Sequence, residues 1–244
     1  MSGDVLLTVD GIGKSFRGLR AVSEMSFQVP KGAIVSLIGP NGAGKTTTFS
    51  LISGAVRPDQ GKVVLDGANI TGLRPDQACA AGIGRTFQLV RPFAGLTVED
   101  NVVVGALHRH RKVEDARARA RDVLDLLEMS DKARQPAQTL TLPDRKRLEV
   151  ARALATDPKL LLLDEVMAGL RPSETDRMVA ILQGLNRQTG LTILLIEHVM
   201  RAVMALSHKV VVMSFGQKIC EGDPLTVTRD PRVVECYLGE GGHE

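Results

Sequence analysis

The length, composition and charge of this chain restrict the classes of protein to which it can belong. Its 244 residues, 43% of them hydrophobic, can fill the core of one large domain or two small ones. Aromatic residues make up only 3%, which argues against a platform for stacking nucleic-acid bases, and a net charge of +3 is too small to imply a polyanionic partner.

Signals for membrane insertion or secretion do not occur in the sequence. No run of about 18 apolar residues could span a bilayer, and the first residues lack the charged and then apolar pattern of a secretion signal. The three cysteines, at positions 79, 220 and 236, lack metal-binding or redox spacing, which favours reduced thiols. We therefore expect a cytoplasmic protein whose membrane role, if it has one, comes through a partner.

The N-terminal part of the chain predicts a layer of antiparallel strands. Residues 5–9 predict a strand followed by a turn near positions 11–13, and residues 62–65 predict another strand. Between them, residues 23–29 alternate apolar and polar side chains, as in an antiparallel strand with one buried face.

A glycine-rich loop follows this layer. Residues 33–38 form an apolar run typical of a buried strand, and residues 47–53 predict the first turns of a helix. The loop between them has the spacing glycine, four residues, glycine, lysine, threonine, in a strand–loop–helix context that is typical of a nucleoside-triphosphate loop. Its residues are Gly39, Pro40, Asn41, Gly42, Ala43, Gly44, Lys45 and Thr46.

The residue types in this loop fit the chemistry of phosphate binding. The glycines permit a curled backbone whose N–H groups point at a β-phosphate, and the following helix N-terminus adds partial positive charge. Lys45 supplies a full charge to the β- and γ-phosphates, and the Thr46 hydroxyl is placed to bind Mg²⁺. Phe16, one strand ahead, is then either an ordinary core side chain or a surface on which an adenine ring stacks.

A helical region is predicted between two parts of an α/β core. Residues 82–88 predict a strand that runs into a loop, and Thr97 can cap a helix that has acidic residues in its first turn. Residues 143–155 predict another helix. We expect a single domain over residues 1–244, with a helical subdomain over approximately residues 90–156 inserted into the core.

Two buried strands in the second half of the chain end in polar residues. Residues 160–163 are all leucine, which suits a strand buried on both faces of a parallel sheet, and Asp164 and Glu165 follow at the edge where ligands bind. We expect Asp164 to hold Mg²⁺ through water and Glu165 to face an attacking water. His198 follows the strand at 192–196; beside a phosphate loop and a carboxylate pair, we expect it to reach the γ-phosphate.

Three further features complete the pattern. Gln88, at the end of a predicted strand, is a candidate for binding Mg²⁺ or orienting water. Residues 173–188 predict a helix with Ser173 as its cap, and residues 209–213 and 217–220 predict a hairpin.

The order and spacing of these motifs resemble the ATP-binding subunit of an ABC transporter over nearly the whole chain. The resemblance implies an α/β fold of the P-loop ATPase cassette type, with an antiparallel β layer, a RecA-like parallel-sheet core and an inserted helical subdomain. It implies catalytic roles for Glu165, His198 and Gln88, and metal binding by Thr46, Gln88 and Asp164. It also implies nucleotide binding by Phe16, Gly39, Pro40, Asn41, Gly42, Ala43, Gly44, Lys45, Thr46 and Thr47.

Within this family, the chain is most similar to the larger-type ATPase subunit of branched-chain amino acid importers. The segments that carry this likeness are residues 84–88, 96–102, 168–170 and 196–200. It implies ATP and Mg²⁺ as cofactors, ATP hydrolysis coupled to solute import, and a position on the cytoplasmic face of the inner membrane. The implied partners are a second, identical or different ATPase subunit, two integral-membrane permeases and, indirectly, a periplasmic binding protein, with no nucleic acid.

The chain departs from the family pattern at its signature segment, which is Leu-Thr-Leu-Pro-Asp at 140–144 instead of Leu-Ser-Gly-Gly-Gln. Thr141 can replace the serine hydroxyl, but Pro143 has no N–H to offer a phosphate. The charge of Asp144 would oppose a nearby phosphate, with the cations at 145–147 offsetting it. If Asp144 faces that phosphate, Asp144→Gln should strengthen ATP-dependent dimerisation. Val166 and Arg171 also differ from the family's usual residues, near the expected dimer seam.

Several functions stay open from sequence alone. The first is a hydrolysing ATPase subunit that drives import of branched-chain amino acids. The second is a nucleotide-binding subunit with a degenerate signature in an asymmetric heterodimer, and a third is an importer for urea, amides or other small organic solutes. The most remote is a soluble ATPase acting on ribosomes or DNA, since those relatives carry two cassettes or a long coiled-coil insertion.

Overall fold

The computed structural model describes residues 4–86 and 92–238, which form ten strands and nine α-helices within these ranges. The strands are β1 (Val5–Phe16), β2 (Leu19–Pro30), β3 (Ile34–Ile38), β4 (Gln60–Leu65), β5 (Ala68–Asn69), β6 (Ile83–Arg85), β7 (Leu160–Asp164), β8 (Thr192–Ile196), β9 (Lys209–Ser214) and β10 (Gln217–Gly222). The α-helices are α1 (Lys45–Ile52), α2 (Pro75–Ala81), α3 (Val98–Ala106), α4 (Val113–Leu126), α5 (Leu142–Leu154), α6 (Pro172–Thr189), α7 (Met200–Leu206), α8 (Pro224–Thr228) and α9 (Pro231–Leu238).

The strands form two sheets. The first is antiparallel with the order β2-β1-β4-β5, and the second has the order β10-β9-β3-β8-β7-β6. In the second sheet β9, β3, β8, β7 and β6 are parallel, and β10 is a hairpin partner of β9. The predicted α/β class, antiparallel layer, parallel core and C-terminal hairpin are therefore confirmed.

The central strands of the second sheet are buried on both faces. On β7, Leu161 and Leu163 join a core with the helices α3 to α6, whereas Leu160 and Leu162 join the core that faces the antiparallel sheet. Side chains alternate along a strand, so a strand covered on both sides must be apolar at every position. This is the reason for the unbroken leucine run.

The register of the parallel strands brings three chain segments to one edge. Leu37 on β3 pairs with Ile196 on β8, and Ile196 pairs with Asp164 on β7. The residues that follow these positions therefore emerge side by side: the phosphate loop after β3, Glu197 after β8 and Glu165 after β7. Ligands of open α/β sheets bind at this carboxyl edge.

Two local predictions are wrong. The turn near residues 11–13 is absent, because β1 continues to Phe16 and a register shift after Val9 absorbs the extra residues; Gly11, at φ 57°, lies in that irregular stretch. Ser173 does not cap α6, which starts at Pro172 with Arg171 as its N-cap. The proposed limits of the helical subdomain stay a prediction.

Across the parts of the chain that the structure describes, we find no helix with the length and apolar character needed to cross a membrane.

Candidate nucleotide site

The shape of the loop between β3 and α1 depends on two glycines. Gly39 has φ 151°, and a Cβ there would lie 2.0 Å from the carbonyl oxygen of Met213. Gly44 has φ 100°, and a Cβ there would lie 2.4 Å from the carbonyl oxygen of Ala21. Because β9 and β2 press against the loop at these points, no residue with a side chain fits the same backbone path.

Lys45 begins α1 and folds back along its own loop. The side chain is 8% exposed, and Nζ donates to the carbonyl oxygens of Gly39 at 2.6 Å and Pro40 at 2.7 Å. These contacts hold a positive charge against the loop. Thr46 is exposed on the first turn of α1, and Thr47 beside it is half-buried.

A cavity of about 390 Å³ opens over the loop, within the size range of small-molecule sites. Glu165 is part of its wall, although β8 separates β7 from β3 in the sheet. The remaining lining residues are Leu19, Arg20, Ala21, Asn41, Gly42, Ala43, Gly44, Lys45, Thr46, Thr47, Phe215 and Gly216. Sequence reasoning missed Leu19 and Phe215, because it cannot tell which strand ends meet the loop.

Phe16 is not a core side chain. It lies at the end of β1 with 44% of its surface exposed. The ammonium of Lys14 is 5.7 Å from the ring centroid, and the same ammonium pairs with Asp59 at 2.6 Å. The exposed ring is available for stacking on a planar ligand, and its role as an adenine contact stays a prediction.

The carboxylates at the end of β7 have different surroundings. Asp164 is 2% exposed; its Oδ2 lies 3.4 Å from a guanidinium nitrogen of Arg85, and its Oδ1 has no hydrogen-bond partner within residues 4–86 and 92–238. Burial raises the pKa of Asp164, and the charge of Arg85 opposes that shift. One carboxylate oxygen is thus buried with unused acceptor capacity.

Glu165 diverges from Asp164 because its backbone is in the left-handed region, with φ 50°. A residue with a side chain occupies this region only when its surroundings hold it there. Here the N–H of Glu165 donates to the carbonyl oxygen of Ile196 at 3.0 Å, and the carbonyl of Glu165 accepts from Ala168 at 3.1 Å. The turn directs one carboxylate into the core and places the other at the cavity.

The segment after β8 also contains two different groups. His198 is exposed, whereas Glu197 is 1% exposed and accepts a hydrogen bond from the N–H of Met167 at 2.9 Å. Burial raises the pKa of Glu197. Glu197 therefore supports the turn that follows Glu165, a role that sequence reasoning missed. Gln88, the remaining predicted site residue, lies outside the described residues.

Arg85 is another residue that sequence reasoning missed. Besides Asp164, its guanidinium contacts the hydroxyl of Ser50 on α1 at 3.3 Å and that of Ser53, the C-cap of α1, at 2.8 Å. One side chain from β6 thus connects the helix after the phosphate loop with the carboxylate of β7. The sequence feature that could have identified Arg85 is its position just before the predicted loop at Gln88.

The signature segment differs from expectation. Asp144 is 4% exposed and accepts hydrogen bonds from the Thr141 hydroxyl at 2.8 Å and from the side chains of Lys132 and Arg147. The condition behind the expected effect of Asp144→Gln is therefore not met: the carboxylate faces the partly exposed Lys132 and the buried Arg147 of its own chain. Nearby, Val166 is buried in the core, and the exposed side chain of Arg171 pairs with Glu174 at 2.8 Å.

We instead expect Asp144→Asn to destabilise the protein. Removing one member of a buried charge cluster leaves the others uncompensated, which costs about 3 kcal/mol at the low end of buried ion pairs. Urea denaturation measures the loss. Asp176→Asn is the control, because its pair with Arg201 is exposed and such pairs contribute less than about 1 kcal/mol. Equal effects of both variants would contradict the role of Asp144.

The pH dependence of stability tests the same cluster. Burial acts to raise the pKa of Asp144, but hydrogen bonds from Lys132, Thr141 and Arg147 outweigh it and lower that pKa below its ordinary value. The carboxylate therefore contributes stability above the unfolded pKa, and this contribution is lost as the pH falls through the folded pKa. Below that pH, wild type and Asp144→Asn should converge in their free energy of unfolding.

Comparison with known proteins identifies the family in which this arrangement of residues occurs. The family model described as ABC transporter matches residues 22–168. The chain belongs to the ABC transporter family. A second model, described as branched-chain amino acid ATP-binding cassette transporter, matches residues 217–243 of this cassette.

Curated relatives match the cassette almost from end to end. It is 38% identical to the high-affinity branched-chain amino acid transport ATP-binding protein BraF of Pseudomonas aeruginosa and 37% identical to LivG of Escherichia coli. It is also 36% identical to the lipopolysaccharide export system ATP-binding protein LptB of Haemophilus influenzae. Each match covers 96% of this chain and 98% of the relative.

Solved structures show the same architecture. The ADP conformation of MJ1267, an ATP-binding cassette of an ABC transporter, superposes with a TM-score of 0.88 at 31% identity, over 96% of this chain and 99% of that one. Cassettes of this family bind ATP and hydrolyse it to power transport. The cavity over the phosphate loop is therefore the place to look for that activity in this chain.

Proposed function

We propose that this cassette binds ATP and Mg²⁺ in the cavity over the phosphate loop and hydrolyses the nucleotide to drive a solute importer. The observation that carries the proposal is that Glu165 lines the same cavity as the loop residues from Asn41 to Thr47. Phosphoryl transfer depends on positioning and charge stabilisation, and one cavity here combines a carboxylate base with a cationic, glycine-rich loop.

Nucleotide binding follows from the loop. In our proposal the Lys45 ammonium exchanges its contacts with the Gly39 and Pro40 carbonyls for oxygens of the β- and γ-phosphates. The N–H groups of the loop and of the first turn of α1, including Thr47, surround the same phosphates. In the same proposal, the exposed ring of Phe16 at the end of β1 stacks on the base.

The residues that would hold Mg²⁺ fit such an ion. The buried Oδ1 of Asp164 has unused acceptor capacity, and the exposed Thr46 hydroxyl lies on the turn after the loop. Mg²⁺ in such sites takes one or two protein oxygens and completes its coordination with phosphates and water. The ion, when bound, would neutralise charge that develops on the phosphate oxygens. Gln88, outside the described residues, is a further proposed ligand.

Hydrolysis is assigned to Glu165 and His198. The carboxylate of Glu165 takes a proton from water as the water oxygen forms a bond to the γ-phosphorus. The bond between that phosphorus and the β–γ bridging oxygen breaks, and ADP and phosphate leave. His198, exposed at the end of β8, is free to donate a hydrogen bond to the γ-phosphate.

The cargo and the partners are proposed from the relatives. The names of BraF and LivG and the model that matches residues 217–243 support a branched-chain amino acid importer. We propose a complex with a second ATPase subunit, two integral-membrane permeases and a periplasmic binding protein, with this chain on the cytoplasmic face of the inner membrane. LptB, nearly as similar, serves lipopolysaccharide export, so ATPase likeness alone does not select a cargo.

The decisive experiment reconstitutes the cassette with its companion permeases in proteoliposomes. ATP hydrolysis should rise when the binding protein is loaded with leucine, isoleucine or valine. Equal stimulation by urea or an amide would contradict the proposed branched-chain amino acid cargo. No hydrolysis under any condition would refute the proposed activity.

An asymmetric heterodimer is the second candidate. Pro143 lies in the first turn of α5 and has no N–H to offer a phosphate of a partner cassette. In that case each dimer of the assembled complex should have one site that hydrolyses ATP and one site that does not. Two equivalent sites, measured by single-turnover phosphate release, would exclude this candidate.

A further inference from the structure

Lys146 lies on α5, two positions beyond Asp144, and its side chain extends to the turn after β7 at the carboxyl edge of the parallel sheet. The residue is 6% exposed, and Nζ donates to the backbone carbonyl oxygen of Glu165 at 3.0 Å. Burying an ammonium is unfavourable unless its surroundings compensate the charge. Burial lowers the pKa of Lys146, and the charges of four carboxylates oppose that shift, those of Glu197, Glu165, Asp164 and Glu149.

The consecutive cations of α5 serve different purposes. Arg147 pairs with Asp144, and Arg145 donates to the carbonyl oxygen of Leu140 at 2.9 Å. Successive residues of a helix differ by about 100° in direction. Lys146 therefore projects away from the cluster of Asp144 and reaches the loop after β7. Its expected role as a counter-charge for Asp144 is wrong.

We propose that Lys146 is a positioning residue for Glu165, tying the signature helix to the turn that carries the catalytic base. This inference rests on the proposed role of Glu165 as that base. Lys146 does not contact the cavity; it acts through the carbonyl of Glu165. That carbonyl belongs to a residue in the left-handed region, which needs external contacts to stay there.

Within the part of the chain that the structure describes, this carbonyl accepts from the Lys146 ammonium and from the N–H of Ala168. The second is local to the turn, whereas the first comes from another element. Without the ammonium, the turn loses this hydrogen bond to α5, and the nearby buried carboxylates of Asp164 and Glu197 lose an opposing charge. The Glu165 side chain then spends less time in its position at the cavity.

The test compares Lys146→Met and Lys146→Arg in the full-length cassette, with ATP hydrolysis as the readout. We expect Lys146→Met to lower kcat about tenfold with KM for ATP within about twofold, because a misplaced base affects the chemical step rather than nucleotide binding. Lys146→Arg, which keeps the charge and the donors, should recover most of the activity. Lys62→Met, the same change at an exposed position on β4, should behave as wild type.

A double-mutant cycle separates positioning from a general structural role. If Lys146 acts through Glu165, the losses from Lys146→Met and Glu165→Asp should not multiply, because both displace the same carboxylate. Multiplying losses, or a wild-type kcat for Lys146→Met, would overturn the inference. If Lys146→Met does not fold, the same cycle with Lys146→Gln, which also removes the charge but keeps a polar side chain, gives the same distinction.

The controls distinguish this inference from the proposed function. If Glu165→Gln eliminates hydrolysis while Lys146→Met leaves it unchanged, only the role of Lys146 fails. If Glu165→Gln retains activity, the assignment of the base fails, and with it the reason for placing Lys146 in the mechanism.

Discussion

Glu165→Gln is expected to lower the kcat of ATP hydrolysis by about 10²- to 10⁴-fold, the usual contribution of a general base. The substitution conserves size and hydrogen-bonding reach, but an amide cannot take the proton of the attacking water. The backbone turn at φ 50° and its bonds to Ile196 and Ala168 do not involve the side chain, so the fold should be unchanged. Phosphate release under saturating ATP measures the effect.

ATP binding should survive this substitution. The phosphate loop and Lys45 are untouched, so the Kd for ATP should change by less than about threefold, which corresponds to well under 1 kcal/mol. Glu114→Gln, which removes an exposed carboxylate on α4, is the matched control and should hydrolyse ATP as wild type does. Retention of more than about a tenth of the activity by Glu165→Gln would place the base elsewhere.

Lys45→Ala should weaken ATP binding by at least about 30-fold. Removing one member of a buried, hydrogen-bonded charge pair costs about 2–5 kcal/mol, or roughly 30-fold to several thousandfold in Kd. The effect should depend on the phosphates that Lys45 contacts: affinity for AMP, which lacks the β- and γ-phosphates, should barely change. Filter binding with ATP and AMP gives both numbers from one preparation.

The comparison needs evidence that the loop still folds, because Lys45 also bonds to the Gly39 and Pro40 carbonyls. The thermal unfolding midpoint of Lys45→Ala, set beside that of Lys62→Ala on the protein surface, supplies it. Equal losses for ATP and AMP would show that the variant damages the loop as a whole. Unchanged ATP affinity would remove Lys45 from the phosphate site.

The local features of this protein could be predicted from sequence because their causes are local. The spacing from Gly39 to Thr46 specifies a curled loop that requires glycine at Gly39 and Gly44, and the four leucines of β7 require a strand with both faces covered. Thr97 caps α3 as predicted, with its hydroxyl accepting from the N–H of Asp100 at 3.1 Å.

Other features depend on which elements meet. The sequence near Gly11 predicts a turn, but pairing of β1 with both neighbours continues the strand through an irregular stretch. Ser173 has the chemistry of a cap, yet Pro172 already begins α6. At Gly11 the local turn preference is overridden by the backbone hydrogen bonds of the sheet. At α6 the helix starts one residue before Ser173, because proline is favourable at the first helical position.

The kinds of groups in the site could be predicted from the sequence, whereas the partner of each charged side chain was decided by tertiary packing. Sequence alone pointed to a triphosphate loop, a carboxylate pair and a family whose members hydrolyse ATP. Only the tertiary structure separated Asp144, buried against Lys132 and Arg147, from Lys146, directed at the Glu165 carbonyl. The reason is that a helix presents neighbouring residues to different surroundings, and those surroundings come from distant parts of the chain.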